Sequence, residues 1–313
     1  MKLLLLGATD LTLAVAEALA DMGMTPAGVL SVGRTFRISY QSEPVRNIRW
    51  VDLAGWCADA GAAYAAYDTP ACISRLAATV GAEACLVAGW YHMVPAAQRR
   101  LFPRGCFGLH ASLLPAYRGG APLNWALING ESETGISLFE LGDGSDDGPI
   151  HGQRRFAIAG GDYIGDLLAR AEAAAIDLLR DCLPEIAAGR RPPRLQTGSP
   201  SYGLQRRPED GRIDWHRSAE EICRLIRATS RPYPGAFSHL DGDRVIIWRA
   251  APRPDAAAVW GAPGQIVLLP GITEPLVVTG QGLLAIEAAE DPDGGSLDDR
   301  LRRSSQRRFD PGP

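Results

Sequence analysis

The sequence has 313 residues, of which 46% are hydrophobic and 22% charged, with a formal net charge of −4. Such a chain can bury a real core in one large or two ordinary domains, and its acidic balance argues against a general nucleic-acid-binding surface while leaving a local basic patch open. The basic residues are almost all arginine, Lys2 being the only lysine, which reads as coding bias rather than a phosphate-binding adaptation.

The opening MKLLLLGATD resembles a secretory leader for only six residues, then turns at Gly7 with no long apolar region and no small-residue cleavage site. No later segment approaches the ~20 apolar residues of a membrane span, so a cytoplasmic protein is expected. Lys2 to Leu6 is a continuous apolar run, read as a strand buried on both faces. Gly7 to Asp10 is turn and cap chemistry without the GxGxxG spacing of a dinucleotide fingerprint, and Leu11 to Met22 follows with helical spacing. Ala27 to Val32 reads as a strand, and Thr35 to Val51 as an exposed polar loop. Helices are expected over Leu53 to Ala60, over Cys72 to Val80 and near Pro95 to Leu101, with buried strands at Ala84 to Ala88 and Cys106 to His110. Two strand-like runs, Gly135 to Leu141 and Pro149 to Ile158, flank the acidic loop GDGSDDG. Asp166 to Ala188 then reads as a long helix whose last turn Pro184 should kink or shorten.

Residues 190–205 are rich in Arg, Pro, Gly and Ser and read as a linker between a first domain, 1–189, and a second, 206–290. The second opens with a helix over Ala219 to Thr229. It continues in short β runs at Ala236 to His239, Arg244 to Arg249, Gln265 to Leu268, Leu276 to Thr279 and Leu283 to Ala288, the spacing of a small barrel. Residues 291–313 are charged and lack apolar periodicity, so they are expected to be a disordered polar tail. The six cysteines show no CxxC and no metal-like spacing, and read as buried free thiols in a reducing compartment; no metal site is expected.

The chemistry concentrates in Gly105-Cys-Phe-Gly-Leu-His110-Ala-Ser-Leu-Leu-Pro115-Ala-Tyr-Arg118-Gly-Gly-Ala-Pro122-Leu-Asn-Trp125 and onward to Glu131. A buried strand delivers His110 at its carboxyl end, where open α/β sheets bind ligands, and polar and special-backbone residues crowd after it. The loop Gly142 to Gly148 alone reads as a solvated hairpin turn.

Together these residues resemble the formyltransferases that use 10-formyltetrahydrofolate, among them the methionyl-tRNA and amino-sugar enzymes. The likeness extends through Asp214-Trp215-His216 and Arg231-Pro-Tyr-Pro-Gly-Ala-Phe237 in the second unit. The resemblance implies a Rossmann-like α/β domain with a mostly parallel sheet, followed by a small OB-like β-barrel. It implies catalysis by an asparagine, a histidine two residues later and an aspartate on a distant loop. His110 matches the histidine and Asp146 the aspartate, with Asp147 as the register alternative, while Gly108 stands at the asparagine position. It places the pterin of the co-substrate against Gly89, Trp90, Tyr91, His92, Met93, Leu113, Leu114, Pro115, Gly142, Asp143 and Ser145. The acceptor is placed near Ser112, Arg118 and Asn124. A missing oxyanion donor typically costs ~100- to 1000-fold in rate, so His92, Ser112, Asn124, a backbone N–H, an ordered water or protonated His110 itself are candidate replacements. The expected partner is a small-molecule amine, an amino-sugar nucleotide or a hydroxyornithine-type precursor. The alternatives are a tRNA acceptor and a non-catalytic folate-binding relative, and a homodimer stays open.

Overall fold

The computed structural model of the protein describes residues 1–38 and 43–310. The chain forms two units. One comprises residues 1–122, 133–157 and 169–203, and the other residues 123–132, 158–168 and 204 onward. Two short segments of the first half thus cluster with the second unit, and residues 190–203 of the expected linker cluster with the first.

In chain order the first unit runs β1 (Leu3–Leu6), α1 (Asp10–Asp21), β2 (Gly28–Ser31), β3 (Thr35–Phe36), β4 (Val45–Arg46), α2 (Ala54–Ala60), β5 (Ala63–Ala66) and α3 (Ala71–Val80). It continues with β6 (Ala84–Val87), α4 (Ala96–Arg99), β7 (Cys106–His110) and β8 (Arg118–Gly119). Helix α5 (Pro122–Asn129), which from Leu123 belongs to the second unit, comes next in the chain, then the hairpin of β9 (Glu133–Glu140) and β10 (Ile150–Ala157), helix α6 (Ile164–Ala187), whose first turn also belongs to the second unit, and β11 (Tyr202–Gly203). The polar stretch 35–51 holds the two-residue ribbon β3–β4, and its residues 39–42 lie outside the described residues. Helix α6 runs through Pro184 and ends at Ala187, one residue before the expected end at Ala188. A proline in the last turn removes a single backbone donor, and Ala188 N–H still reaches the Pro184 carbonyl at 3.0 Å.

Seven strands form one sheet in the order β10-β9-β7-β6-β1-β2-β5. From β5 through β7 the pairings are parallel, and β9 and β10 are added antiparallel. Strand β1 explains why an unbroken Leu run was selected. Leu3 and Leu5 pack on one face with Val15 and Leu19 of α1 and Leu178, Leu179 and Leu183 of α6. Leu4 and Leu6 pack on the other with Ile73 and Leu76 of α3. Side chains alternate along a strand, so a strand covered on both faces needs apolar residues at every position. The order of the sheet reverses beside β1, and the carboxyl ends of β6 and β7 at this reversal lead to Gly89 and His110.

The second unit contains α7 (Ala219–Thr229), β12 (Ala236–Leu240), β13 (Asp243–Pro252), β14 (Ile266–Val267), β15 (Leu276–Val278), β16 (Leu283–Glu290) and α8 (Asp298–Arg302). Ser218 caps α7, its hydroxyl accepting from Glu221 N–H while the Glu221 carboxylate accepts from Ser218 N–H. The strands make an antiparallel sheet in the order β12-β13-β16-β15-β14. The chain after α8 spans both of its edges: Asp310 N–H donates to His239 O at 2.8 Å beside β12, and Ile266 N–H of β14 donates to Arg307 O at 2.8 Å. The expected disordered tail is therefore corrected, through residue 310, to the segment that joins the edges of the sheet; residues 311–313 lie outside the described residues. The physical reason is two apolar anchors among the charges. Leu301 and Phe309 are buried, and Phe309 stacks on Trp215 with ring centroids 5.2 Å apart. Trp215 in turn donates through its indole N–H to Ser238 Oγ at 3.0 Å.

All six cysteines are buried free thiols. Among the described residues no helix is long and apolar enough to cross a membrane.

Candidate active site

His110 ends β7 and is only 8% exposed. Its Nε2 lies 2.7 Å from the carbonyl oxygen of Tyr117, and its Nδ1 lies 3.6 Å from Oδ2 of Asp146. Both ring nitrogens thus face oxygen acceptors. A neutral imidazole can donate to one of them, and an imidazolium donates to both. The carboxylate of Asp146 also accepts the Gly119 N–H at 2.8 Å. Asp147 turns the other way and accepts the Gly144 N–H at 3.0 Å inside its own loop. Of the two neighbouring acids, Asp146 is therefore the one that meets the imidazole.

The backbone here is held in uncommon conformations. Five described non-glycine residues have positive φ, and three of them, Tyr117, Ala121 and Asp146, belong to the two loops around His110. Such positions persist where surrounding structure over-determines them. The determinants can be named. Gln196 Nε2 donates to the carbonyls of Asp146 at 2.7 Å and Gly148 at 2.8 Å, and Gln196 Oε1 accepts from Arg118 Nε and Nη2 at 3.1 and 2.7 Å. Residues 194–203, the strap that carries Gln196, also pair β11 with β8, and Tyr117 N–H donates to Ser201 Oγ at 2.9 Å. Sequence reasoning missed Gln196, the Tyr117 carbonyl and the Gly119 N–H. No residue type marks a backbone carbonyl, and a glutamine in a Pro- and Gly-rich stretch carries no signal of its own.

The other expected site residues divide by what they touch. Ser112 is fully buried and donates to the Ala116 carbonyl at 2.5 Å. Ser137 Oγ donates to Ser112 O and accepts from Leu114 N–H, so the loop of Ser112, Leu113, Leu114 and Pro115 is tied to β9. Asn124 belongs to the second unit, where its amide donates to Ala228 O at 2.7 Å. The single hydroxyl proton of Ser112 and one N–H of the Asn124 amide are thus committed to backbone carbonyls. Arg118 is engaged by Gln196 and also reaches the Tyr202 hydroxyl at 3.2 Å.

Gly89 lies at φ 67, and a Cβ there would fall 2.0 Å from Thr9 Oγ1, so packing inside the protein already requires a glycine. Trp90 and His92 share an aromatic cluster with Tyr67, and Phe36 contacts both His92 and Tyr91. Tyr91 donates its hydroxyl to Asn47 Oδ1 at 2.9 Å. Trp90 Nε1 and His92 Nε2 are buried without a hydrogen-bond partner among the described residues, and burial pushes the His92 imidazole below its usual pKa. Met93 stands exposed beside them. On the facing loop, Asp143 pairs with Arg99, and Ser145 Oγ lies 3.4 Å from Asp146 Oδ2 beside Gly142 and Gly144.

Gly108 faces the same side of β7 as His110. A Cβ placed on it would fall 2.8 Å from both Phe139 Cε1 and Leu141 Cδ2. The space that a side chain at 108 would take is therefore filled with apolar atoms.

Comparison with known proteins agrees with this architecture. Residues 60–183 match the model described as formyl transferase, and residues 206–299 match that described as formyl transferase, C-terminal domain. Among solved structures, HypX from Aquifex aeolicus in complex with tetrahydrofolic acid is 17% identical with a TM-score of 0.65, covering 93% of this chain and 44% of that one. The chain thus spans less than half the length of HypX. An N-formyltransferase from Helicobacter canadensis in complex with folinic acid and dTDP-3-aminofucose is 16% identical, with a TM-score of 0.65 over 91% of this chain and 98% of that one. Methionyl-tRNA formyltransferase from Clostridium thermocellum is 20% identical, with a TM-score of 0.55 over 80% and 93%. At these identities the structures share the fold. With both of its units matched by the family's own models, the chain belongs to the formyl transferase family.

Proposed function

We propose that this enzyme moves the formyl group of 10-formyltetrahydrofolate to an amine of a small molecule, with His110 and Asp146 as the reacting pair. The observation that supports this reading is the imidazole at the end of β7 with a carboxylate 3.6 Å from Nδ1. In this reading the acceptor nitrogen attacks the formyl carbon, the new C–N bond forms, and the carbonyl electron pair moves to oxygen. Collapse breaks the bond to N10 of the folate, and one proton passes from the acceptor nitrogen to N10. His110 carries that proton at Nε2, leaving the Tyr117 carbonyl to do so, while Asp146 stabilises the imidazolium through Nδ1. Gly108 supplies no side-chain donor to the oxyanion, so the protonated imidazole takes that task.

The acidic chain favours a small acceptor over a polyanion, since a tRNA acceptor calls for a basic, salt-sensitive contact surface. Purified protein is mixed with 10-formyltetrahydrofolate and a panel of amino-sugar nucleotides, hydroxyornithine and aminoacyl-tRNA. Acceptor-dependent release of tetrahydrofolate with a small amine is the expected outcome. Turnover with aminoacyl-tRNA alone reassigns the substrate, and folate binding without turnover against the whole panel overturns the catalytic reading.

A further inference from the structure

The second unit contains a pocket of about 270 Å³ whose walls include Gly130, Glu131, Ser132, Gly160, Arg224 and Arg227. Arg224 and Arg227 sit three residues apart on α7, so their side chains are neighbours on one helix face. Like charges at that spacing repel mildly, and an anion held between them would offset the repulsion.

Their partners differ. Arg224 donates from Nε to Ile128 O at 3.0 Å, which fixes it against the end of α5 and leaves its terminal nitrogens free of that bond. Nearby arginines are paired: Arg217 with Glu221 at 3.3 Å, and Arg231 with both carboxylate oxygens of Glu290. The Nε of Arg227 is buried with no hydrogen-bond partner among the described residues. A guanidinium nitrogen closed off from water without an acceptor is costly, and proteins rarely tolerate it. A helix carboxyl end favours a cation, which accounts for an arginine in the last turn but not for one lacking an acceptor. The carboxylate on the wall, Glu131, already has a partner of its own.

The geometry points to an oxyanion site, in which the Arg227 fork, assisted by Arg224, receives a phosphate or carboxylate group of a small ligand. The planar guanidinium matches such groups with two parallel hydrogen bonds. Gly160 suits the mouth of the pocket because nothing lies within 4 Å of where its Cβ would be. Its residues belong to the second unit, whereas His110 and Asp146 belong to the first, and the site holds whether or not the proposed acceptor is correct.

Calorimetric titration of the whole protein at low ionic strength, with inorganic phosphate, pyrophosphate and acetate as separate probes, tests the site. One saturable site is expected, weakened at least about tenfold by Arg227→Gln through loss of the charged fork. Ser132→Asp, an exposed position that adds a negative charge to the wall, should weaken it as well. Phosphate binding without acetate binding assigns a phosphorylated ligand, and binding of both extends the site to carboxylates. Absence of saturable binding by every probe, or affinity that neither variant changes, overturns the site. Should Arg227→Gln fail to fold, Ser132→Asp alone decides.

Discussion

Phe139 covers Gly108. The two are directly opposed across β7 and β9, and the Phe139 ring, also edge-on to His110 with centroids 6.4 Å apart, lies where any side chain at 108 would begin. An aromatic ring laid over a cross-strand glycine restores the packing that the glycine lacks. The glycine at 108 is thus compensated in packing.

Placing an amide side chain at 108 should therefore bring no gain. Gly108→Asn forces Phe139 and Leu141 aside and should cost about 1–3 kcal/mol, the usual penalty for overpacking a core. Denaturant unfolding measures the loss, and the formyl-transfer assay should show no gain in kcat. A tenfold rise in kcat with unchanged stability would mean that the apolar cover is not what decides this position.

The neighbouring acids should separate cleanly. Asp146→Asn leaves a side chain able to meet His110 but removes the negative charge that stabilises an imidazolium, so kcat should fall by roughly 100-fold or more, in the range general acid–base contributions span. Asp147→Asn touches only the loop, through Gly144, and should cost less than about tenfold. Equal losses in the two variants would count against assigning the proton-transfer partner to Asp146.

Gln196 touches the loop that carries Asp146 and also Arg118, so its expected role is to position that loop. Gln196→Glu keeps the acceptor for Arg118 but sets a carboxylate against the Asp146 and Gly148 carbonyls. It should lower kcat roughly 10- to 100-fold with little change in KM for either substrate, because misplacing a reacting group costs rate more than affinity. A KM effect without a kcat effect would place Gln196 in substrate binding instead.

The buried strands were legible because their demands are local. Leu3 to Leu6 needs apolar residues on both faces, and Cys106 to His110 ends where its loop chemistry begins. The resemblance supplied the remote pairing of His110 with Asp146. The strap over residues 194–203 was not legible, since β8 and β11 are two residues each and too short for any periodicity. Composition made it a linker, and only its partners make it a clamp. Helix α7 shows the opposite case: the helix expected over Ala219 to Thr229 forms over those eleven residues, and a capping box of Ser218 and Glu221 starts it.

The aromatic cluster at His92 should leave a pH signature in stability. Burial lowers its pKa in the folded state, so unfolding takes up a proton as pH falls. Its contribution is complete above the ordinary histidine value near ~6.5 and is lost as pH drops through that value towards the lower folded one. The melting temperature of the wild type should therefore fall more steeply than that of His92→Phe on going below that pH. Parallel curves would show that His92 gains no proton on unfolding.

Phe309 tests the closing segment. Its ring is fully buried against Trp215, and its N–H donates to Gly264 O at 2.9 Å, while the residues around it are mostly charged or polar. Removing the ring empties the second core at the position where the two sheet edges meet, and Phe309→Ala should cost about 3–5 kcal/mol, as large aromatic truncations in cores do. Removing residues 304–313 should cost at least as much, because the hydrogen bonds to Gly264, Ile266 and His239 go with it. Calorimetry should show the loss in the second unit's transition, followed by the near-ultraviolet signal of Trp215. Deletion of an ordinary polar tail would leave that transition in place, so an unchanged melting temperature in the truncated chain would return residues 304–313 to the role that their composition suggests.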